Sequence, residues 1–280
     1  STYLGGSNYD NAKSIAIDSN GNVYVTGYAN SSGFPTTIDA YDTSYNGNYD
    51  VFVTKLSGDL TNLLASTFLG GYEYDYGYSI STDLIGNVYV SGYTSSPNFP
   101  ISPVALHAYY GDNTDAYISK LNNNLTNLLS SSYIKSGANN CIKIDLAGNI
   151  YTAGSSSILK TNNSLTRLLA SASLDGEINS LALDSDGNIY VAGYTDSTEF
   201  QTTTGAYDTY NVGDYDAFIT KFNDSLFSSS PTVTTGTATG IISASATLNG
   251  SVNANGASTN AWFEYDTTSG SYSNTTSKQS

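Results

Sequence analysis

Tyr72-Glu73-Tyr74-Asp75-Tyr76-Gly77-Tyr78 is the stretch whose residue types and spacing most directly suggest chemistry. Side chains alternate sides along an extended chain, so the tyrosines fall on one side and Glu73 and Asp75 on the other. Phenol rings beside carboxylates stack on sugars, which makes Tyr72, Tyr74 and Tyr76 candidate ligand contacts. The competing use is ordinary packing of rings between neighbouring sheets.

Other groups with reactive or ligating chemistry are few. Asp184-Ser185-Asp186-Gly187-Asn188 has part of the look of a calcium loop. The same Asp-x-x-Gly-Asn pattern recurs at Asp18, Asp83 and Asp145, with Leu84-Ile85 and Leu146-Ala147 between the Asp and the Gly in two copies. Those pairs offer no side-chain oxygen, so a turn is the better reading, and no metal ligand is assigned. Lys55, Lys120, Lys160 and Lys221 hold one repeated position, where pairing with a repeated aspartate is expected rather than a ring of substrate-binding cations. His107 is the single histidine and has no Gly-x-Ser-x-Gly partner motif, so it reads as a surface residue. Cys141 aligns with Ser14, Ser79 and Ser180 and reads as a small buried strand residue. Paired aspartates suited to glycoside hydrolysis are the one enzymatic option, and sequence does not reveal their separation. No catalytic residue, cofactor site or metal site is assigned, and the chain is expected not to be an enzyme. Asn-x-Ser/Thr sequons at Asn30, Asn124, Asn162, Asn223, Asn249 and Asn274 are candidate N-glycosylation sites.

The elements that must position these residues are repeated. Gly21-Asn22-Val23-Tyr24-Val25 returns at Gly86, Gly148 and Gly187, each time after an alternating segment such as Ser14-Ile15-Ala16-Ile17. Asp caps nearby backbone N–H groups and Gly supplies a positive φ, so each copy is a hairpin. A second hairpin follows, with Asp50 to Leu56, Asp115 to Leu121 and Asp216 to Phe222 as its first strand. Its second strand is Leu63 to Leu69, Leu128 to Ile134 or Leu168 to Leu174. Four short strands make one propeller blade. The third unit lacks the long excursion carried by the others, which marks that excursion as a surface insertion. Ser1-Thr2-Tyr3-Leu4-Gly5-Gly6 matches Ser66-Thr67-Phe68-Leu69-Gly70-Gly71, the last strand of a blade, and the fourth unit lacks this strand. The expected architecture is therefore all-β: a propeller of four four-stranded blades, closed by the N-terminal strand. The rival is an arc of a larger propeller.

The run STYLGGSNYDNAKSIAIDSNGNVYVTGY…FPTT…AYD…DVFVTKL resembles the SBBP-type β-propeller repeat family over residues 1–227, which implies a propeller and no particular reaction. Residues 228–280 differ. The stretch from Pro231 resembles the opening strands of a fibronectin type III-like domain, with strands at Ser245 to Val252 and Asn260 to Tyr265 and Trp262 as the core aromatic. A partial β-sandwich that another chain completes by strand addition is expected there.

Composition sets the class of partner. A net charge of −15, from nine basic and 24 acidic residues, repels nucleic acid and anionic lipid. No apolar run is long enough to span a membrane as a helix. The absence of methionine fits a processed chain or one cut from a longer one. Abundant Ser, Thr, Asn, Gly and Tyr with scarce helix formers fit an extracellular or cell-surface β protein. The expected role is a structural subunit of a surface layer or filament, whose partners are other copies of itself or cell-surface proteins. The alternative is a glycan- or protein-binding adhesin module, and a polysaccharide hydrolase or lyase ranks below both.

Overall fold

The computed structural model describes residues 1–111, 114–134, 141–223, 228–229, 232–242, 245–247, 249–253, 264–265 and 274–275. Among them every regular element is a strand. None forms a helix long and apolar enough to cross a membrane. The chain divides into two compact units, Ser1–Asp224 and Ser225–Ser280.

The first unit is a succession of antiparallel sheets. The first sheet carries β1 (Asp10–Ile17), β2 (Val23–Ala29), β3 (Asp50–Leu56) and β4 (Leu63–Leu69) in that order. The second repeats it with β5 (Asp75–Thr82), β6 (Val88–Thr94), β7 (Asp115–Leu121) and β8 (Leu128–Ile134). The third holds β9 (Cys141–Ile144), β10 (Ile150–Gly154), β11 (Ser157–Thr161) and β12 (Leu168–Ser173) in the same order. The fourth has three strands, β13 (Glu177–Leu183), β14 (Ile189–Thr195) and β15 (Asp216–Phe222). As expected, the third sheet keeps its strands although Gly154 turns directly to Ser157 with no excursion between them.

Turn chemistry drives the first hairpin of each sheet. The Gly21, Gly86, Gly148 and Gly187 φ angles lie between 81° and 87°, a region closed to most L residues. Asp18 Oδ1 accepts from the Asn20 and Asn22 N–H groups, and its Oδ2 accepts from the Asn22 amide and the Tyr24 hydroxyl. Asp83, Asp145 and Asp184 repeat the bonds to their Asn and Tyr. The turn therefore uses both carboxylate oxygens.

Successive sheets pack face to face through their first strands, β1 on β5, β5 on β9 and β9 on β13. This is β-propeller packing. Ile80, Ile142 and Leu181 on β5, β9 and β13 are 2%, 0% and 3% exposed because the preceding sheet covers them. Burial of one such side chain is worth about 1.5–3 kcal/mol. Ile15 holds the same position on β1 and is 65% exposed. No packing of this kind joins β13 to β1. Residues 1–6 lie outside any strand, so β15 ends the fourth sheet and the expected closing strand is not formed.

The second unit contains two-stranded ladders. Thr232–Thr235 pairs with Gly250–Asn253, Thr239–Ile242 with Ser245–Thr247, and Glu264–Tyr265 with Asn274–Thr275. The single strand expected over Ser245 to Val252 is split. Asn249 lies in the break, and its amide donates to Thr237 O at 2.7 Å and to Thr239 Oγ1 at 3.1 Å. Trp262 lies outside the described residues.

Candidate functional site

The tyrosines that alternation places on one side do form a row. Tyr74 and Tyr76 stack at 6.4 Å with an interplanar angle of 8°, and Tyr76 and Tyr78 at 6.2 Å and 6°. The row belongs to a larger cluster built across two sheets. Tyr28 at the end of β2 meets Tyr76 edge-on at 4.7 Å and Tyr49 at 5.2 Å. Tyr93 on β6, the cross-strand partner of Tyr76, lies 4.6 Å from it. Tyr9 extends the cluster at 6.1 Å from Tyr28, and Lys13 Nζ sits 5.4 Å from the Tyr28 ring centre. A short backbone bridge fixes the two sides, with Tyr49 paired to Tyr74 and the Asp75 N–H donating to Tyr49 O at 2.8 Å. Burial pushes the Tyr28, Tyr76 and Tyr93 phenols up to about 12, so they stay neutral donors and acceptors at physiological pH. The cluster reaches the surface at Tyr9 and Tyr74, 57% and 42% exposed; Tyr72, also exposed, makes no ring contact among the described residues. Sequence reasoning found Tyr74 and Tyr76 but missed Tyr28, Tyr49 and Tyr93. Tyr28 and Tyr93 follow the recurring Gly27 and Gly92, and that Gly-Tyr step was the available signal.

Two carboxylates near these tyrosines in the sequence lie on β3 and β5. Asp50 and Asp75 are both fully buried. Asp50 Oδ2 accepts from the Asn46 N–H at 2.7 Å, and Asp75 Oδ2 from the Gly71 N–H at 2.7 Å and Ser96 Oγ at 2.9 Å. The Oδ1 atom of each has no hydrogen-bond partner. The two groups border one point: a Cβ on Gly70 would lie 2.8 Å from Asp50 Oδ1 and 2.9 Å from Asp75 Oδ2. Burial, reinforced by the Asp75 charge, pushes Asp50 up to about 7, and burial also raises Asp75. Such a pair holds a proton near neutral pH. Its full burial keeps a polymeric substrate away from it in this conformation.

The repeated lysines do something other than the expected carboxylate pairing. Each lies over the tyrosine opposite it in the sheet: Lys55 on Tyr24, Lys120 on Tyr89, Lys160 on Tyr151 and Lys221 on Tyr190, at 5.0–5.2 Å. Lys55 also reaches its turn aspartate, at 3.7 Å from Asp18. The register explains this, because each lysine is cross-strand from the tyrosine whose hydroxyl already bonds the aspartate. These cation–π pairs place positive charge over rings that are buried at Tyr24, Tyr89 and Tyr151 and half-buried at Tyr190.

The remaining candidates separate. Cys141 is buried, its thiol donates to Ala153 O at 3.1 Å, and burial pushes it up to about 12, which removes nucleophilic character. His107 is half-buried rather than a plain surface residue, because its N–H donates to Ser132 Oγ and its carbonyl accepts from Tyr133. Asn124 and Asn223 are exposed, whereas Asn30, Asn162 and Asn249 are half-buried. The Asn162 amide is engaged with Ser164 and Thr166. The Asn274 side chain lies outside the description. Among the described residues no three His, Cys, Asp or Glu side chains converge as a metal site.

The family model of the SBBP β-propeller repeat matches residues 1–35, 66–100 and 166–201. No curated protein matches the chain. Among solved structures, a gluconolactonase from Xanthomonas campestris is similar at 10% identity over 65% of this chain and 54% of that one, with a TM-score of 0.40. The chain thus spans about half the length of that enzyme. The hydrazine synthase of Kuenenia stuttgartiensis is similar at 11% identity, over 80% and 67% of the two chains, with a TM-score of 0.41. A GH43 protein from Bacillus licheniformis gives 11%, 74% and 42%, with a TM-score of 0.38. Likenesses this faint assign no activity. They do correct the expectation that the chain is not an enzyme, because enzymes are among the similar structures. The physical reason is that motif reading along the chain does not see side chains brought together across sheets, and the Asp50–Asp75 pair is one such case.

Proposed function

We propose that the chain is an extracellular structural subunit, built into a surface layer or filament through contacts between copies of itself. One observation carries this reading. Ile15 and Ile219, on the two end sheets, are 65% and 82% exposed, whereas their counterparts between internal sheets are buried. Unpaired apolar sheet faces of this kind mark interaction sites. The acidic surface and the abundance of Ser, Thr, Asn and Tyr support an exterior location. Immunogold electron microscopy of the source cells, with fractionation of their envelope, tests it. Label on the cell exterior and recovery in large assemblies are expected; recovery as a soluble intracellular monomer refutes it.

The tyrosine cluster favours a second reading, a glycan-binding adhesin module. Tyr74 offers an exposed ring backed by Tyr49 and Tyr76, a rigid stacking platform. A glycan array expects hits that Tyr74→Ala abolishes; an array without hits ends this reading. The sequons at the exposed Asn124 and Asn223 are the ones intact-mass and peptide analysis of the native protein should find occupied.

A further inference from the structure

Every joint between the first three sheets is built the same way, and the two halves of one more joint remain uncovered at the ends. At the joint between the first and second sheets, the Ile80 N–H donates to Ser14 Oγ at 3.2 Å. Tyr41 in the excursion of the first sheet donates its N–H to Leu125 O at 2.8 Å. Tyr24 and Lys55 both donate to Asn123 O, at 3.3 and 3.4 Å. Leu125 itself is fully buried in one cluster with Tyr24, Val51, Val53 and Tyr41. The next joint repeats the scheme. The Ile142 N–H donates to Ser79 Oγ at 3.1 Å, and the Leu106 N–H to Leu165 O at 2.7 Å. Lys120 and Tyr89 engage Asn163, and Leu165 is buried with Tyr89, Ala116, Ile118 and Leu106.

The fourth sheet presents the receiving half of this joint. Tyr190, Ala217, Ile219 and Lys221 correspond to Tyr24, Val51, Val53 and Lys55, and Tyr207 corresponds to Tyr41. They stand open: Tyr207 is fully exposed, and a cleft of about 590 Å³ lined by Tyr190, Ala206, Ala217, Ile219 and Lys221 occupies the place that Leu125 fills at the first joint. The first sheet presents the inserting half. Leu60 corresponds to Leu125 and Leu165, and all three share a left-handed backbone, with φ of 63°, 57° and 56°. The leucine knob is therefore preformed, yet Leu60 is only half-buried, and Ile15 on the first strand of the same sheet is bare.

The first six residues complete the set. Leu4 precedes β1 by the spacing at which Leu69 precedes β5, and the Gly6 N–H bonds Asp10 at 2.6 Å as the Gly71 N–H bonds Asp75 at 2.7 Å. Phe68 and Leu69 on β4 pair with β3 and are buried, whereas Tyr3 is fully exposed. A chain whose first sheet sat on a fourth sheet, as the second sheet sits on the first, would lay its residues 1–4 along the β15 edge. The fourth sheet would gain the strand it lacks.

We propose that the occupant is a second copy of this chain, docked head to tail: the first sheet of one copy packs on the fourth sheet of the next, Leu60 enters the cleft and residues 1–4 pair with β15. This deepens the structural-subunit reading and rests on it. A joint between unlike faces propagates, or closes into a ring of copies, according to its rotation. The test is light scattering coupled to size exclusion on the full chain and on Ile15→Asp and Ile219→Asp, two substitutions at exposed positions whose fold is checked by circular dichroism. The parent is expected at twice the chain mass or more. Each variant alone is expected at one chain mass. An equimolar mixture is expected to give twice the chain mass and nothing larger, since Ile15→Asp keeps the receiving face and Ile219→Asp the inserting one. Deletion of residues 1–6 from Ile219→Asp should abolish pairing in that mixture. A monomeric parent, the outcome of closure by its own N-terminal strand, overturns the proposal, as does a mixture that stays monomeric. A chain that assembles but resides inside the cell refutes the surface reading and leaves the joint standing, and a monomer recovered from the cell surface does the reverse.

Discussion

Replacing Asp50 with Asn should make the protein more stable at alkaline pH while leaving it nearly unchanged near pH 4. Asp50 is fully buried, with Oδ1 unbonded and the Asp75 carboxyl close by. Its folded pKa of about 7 stands above the ordinary 3.8. Between those values the folded chain keeps a proton that the unfolded chain has lost. Folded-state proton binding is then the larger, so stability falls as pH rises through the window and levels off above it. The stabilisation is complete below the unfolded pKa and gone above the folded one. At about 1.4 kcal/mol per pH unit, the full effect is about 4 kcal/mol, reduced where Asp75 adjusts its own protonation. Asn keeps the shape and an acceptor for the Asn46 N–H, and its amide gives Asp75 a donor. Urea unfolding of parent and Asp50→Asn, followed by tyrosine fluorescence from pH 4 to 9, measures the difference. The curves should converge at pH 4 and separate by about 2–4 kcal/mol at pH 8, with the variant above. A parent whose stability is flat or rises from pH 5 to 8, or a variant weaker than the parent at pH 8, refutes the argument.

Other substitutions test the frame around this pair. Leu125→Ala removes a fully buried side chain from the first joint and should cost about 2–5 kcal/mol in urea unfolding. Gly187→Ala meets no atom within 4 Å, so only its φ of 81° is strained, and it should cost about 1–2 kcal/mol. Gly92→Ala should not yield folded protein, judged by circular dichroism and solubility, because its Cβ would lie 1.8 Å from the Tyr76 carbonyl oxygen. Tyr89→Phe removes the hydroxyl that bonds Asp83 at 3.0 Å and should cost about 1 kcal/mol with the fold retained.

The parts of this fold that were readable along the chain are those determined locally. The Asp18-to-Asn22 turn needs an acceptor, a positive φ and two strands of alternating pattern, all within a dozen residues, and each of its four copies forms the hairpin expected. The Asp50–Leu56 strand and its counterparts follow for the same reason. What escaped reading depends on one sheet meeting another. The Tyr28–Tyr76 contact and the Asp50–Asp75 pair join residues 48 and 25 positions apart on different strands, and nothing in local spacing announces them. The lysine placement failed differently: pairing by charge was expected, while strand register set Lys120 over Tyr89. The N-terminal match to Ser66-Thr67-Phe68-Leu69 led to the expectation of a closing strand that does not form, because a strand needs a partner edge within reach and sequence likeness carries no information on where that edge lies.

The missing excursion of the third sheet has a mechanical consequence. Tyr41 and Leu106 bolt their sheets to the leucine carbonyl of the next one. The third sheet has no such excursion, and its tight turn takes over the role: Ser155 O accepts from the Ile178 N–H on β13 at 2.8 Å. The anchor to the next sheet thus moves from a long surface loop into the direct step between Gly154 and Ser157. The shortened unit keeps its grip on its neighbour, so an excursion can be lost from this repeat without cutting the third sheet loose from the fourth.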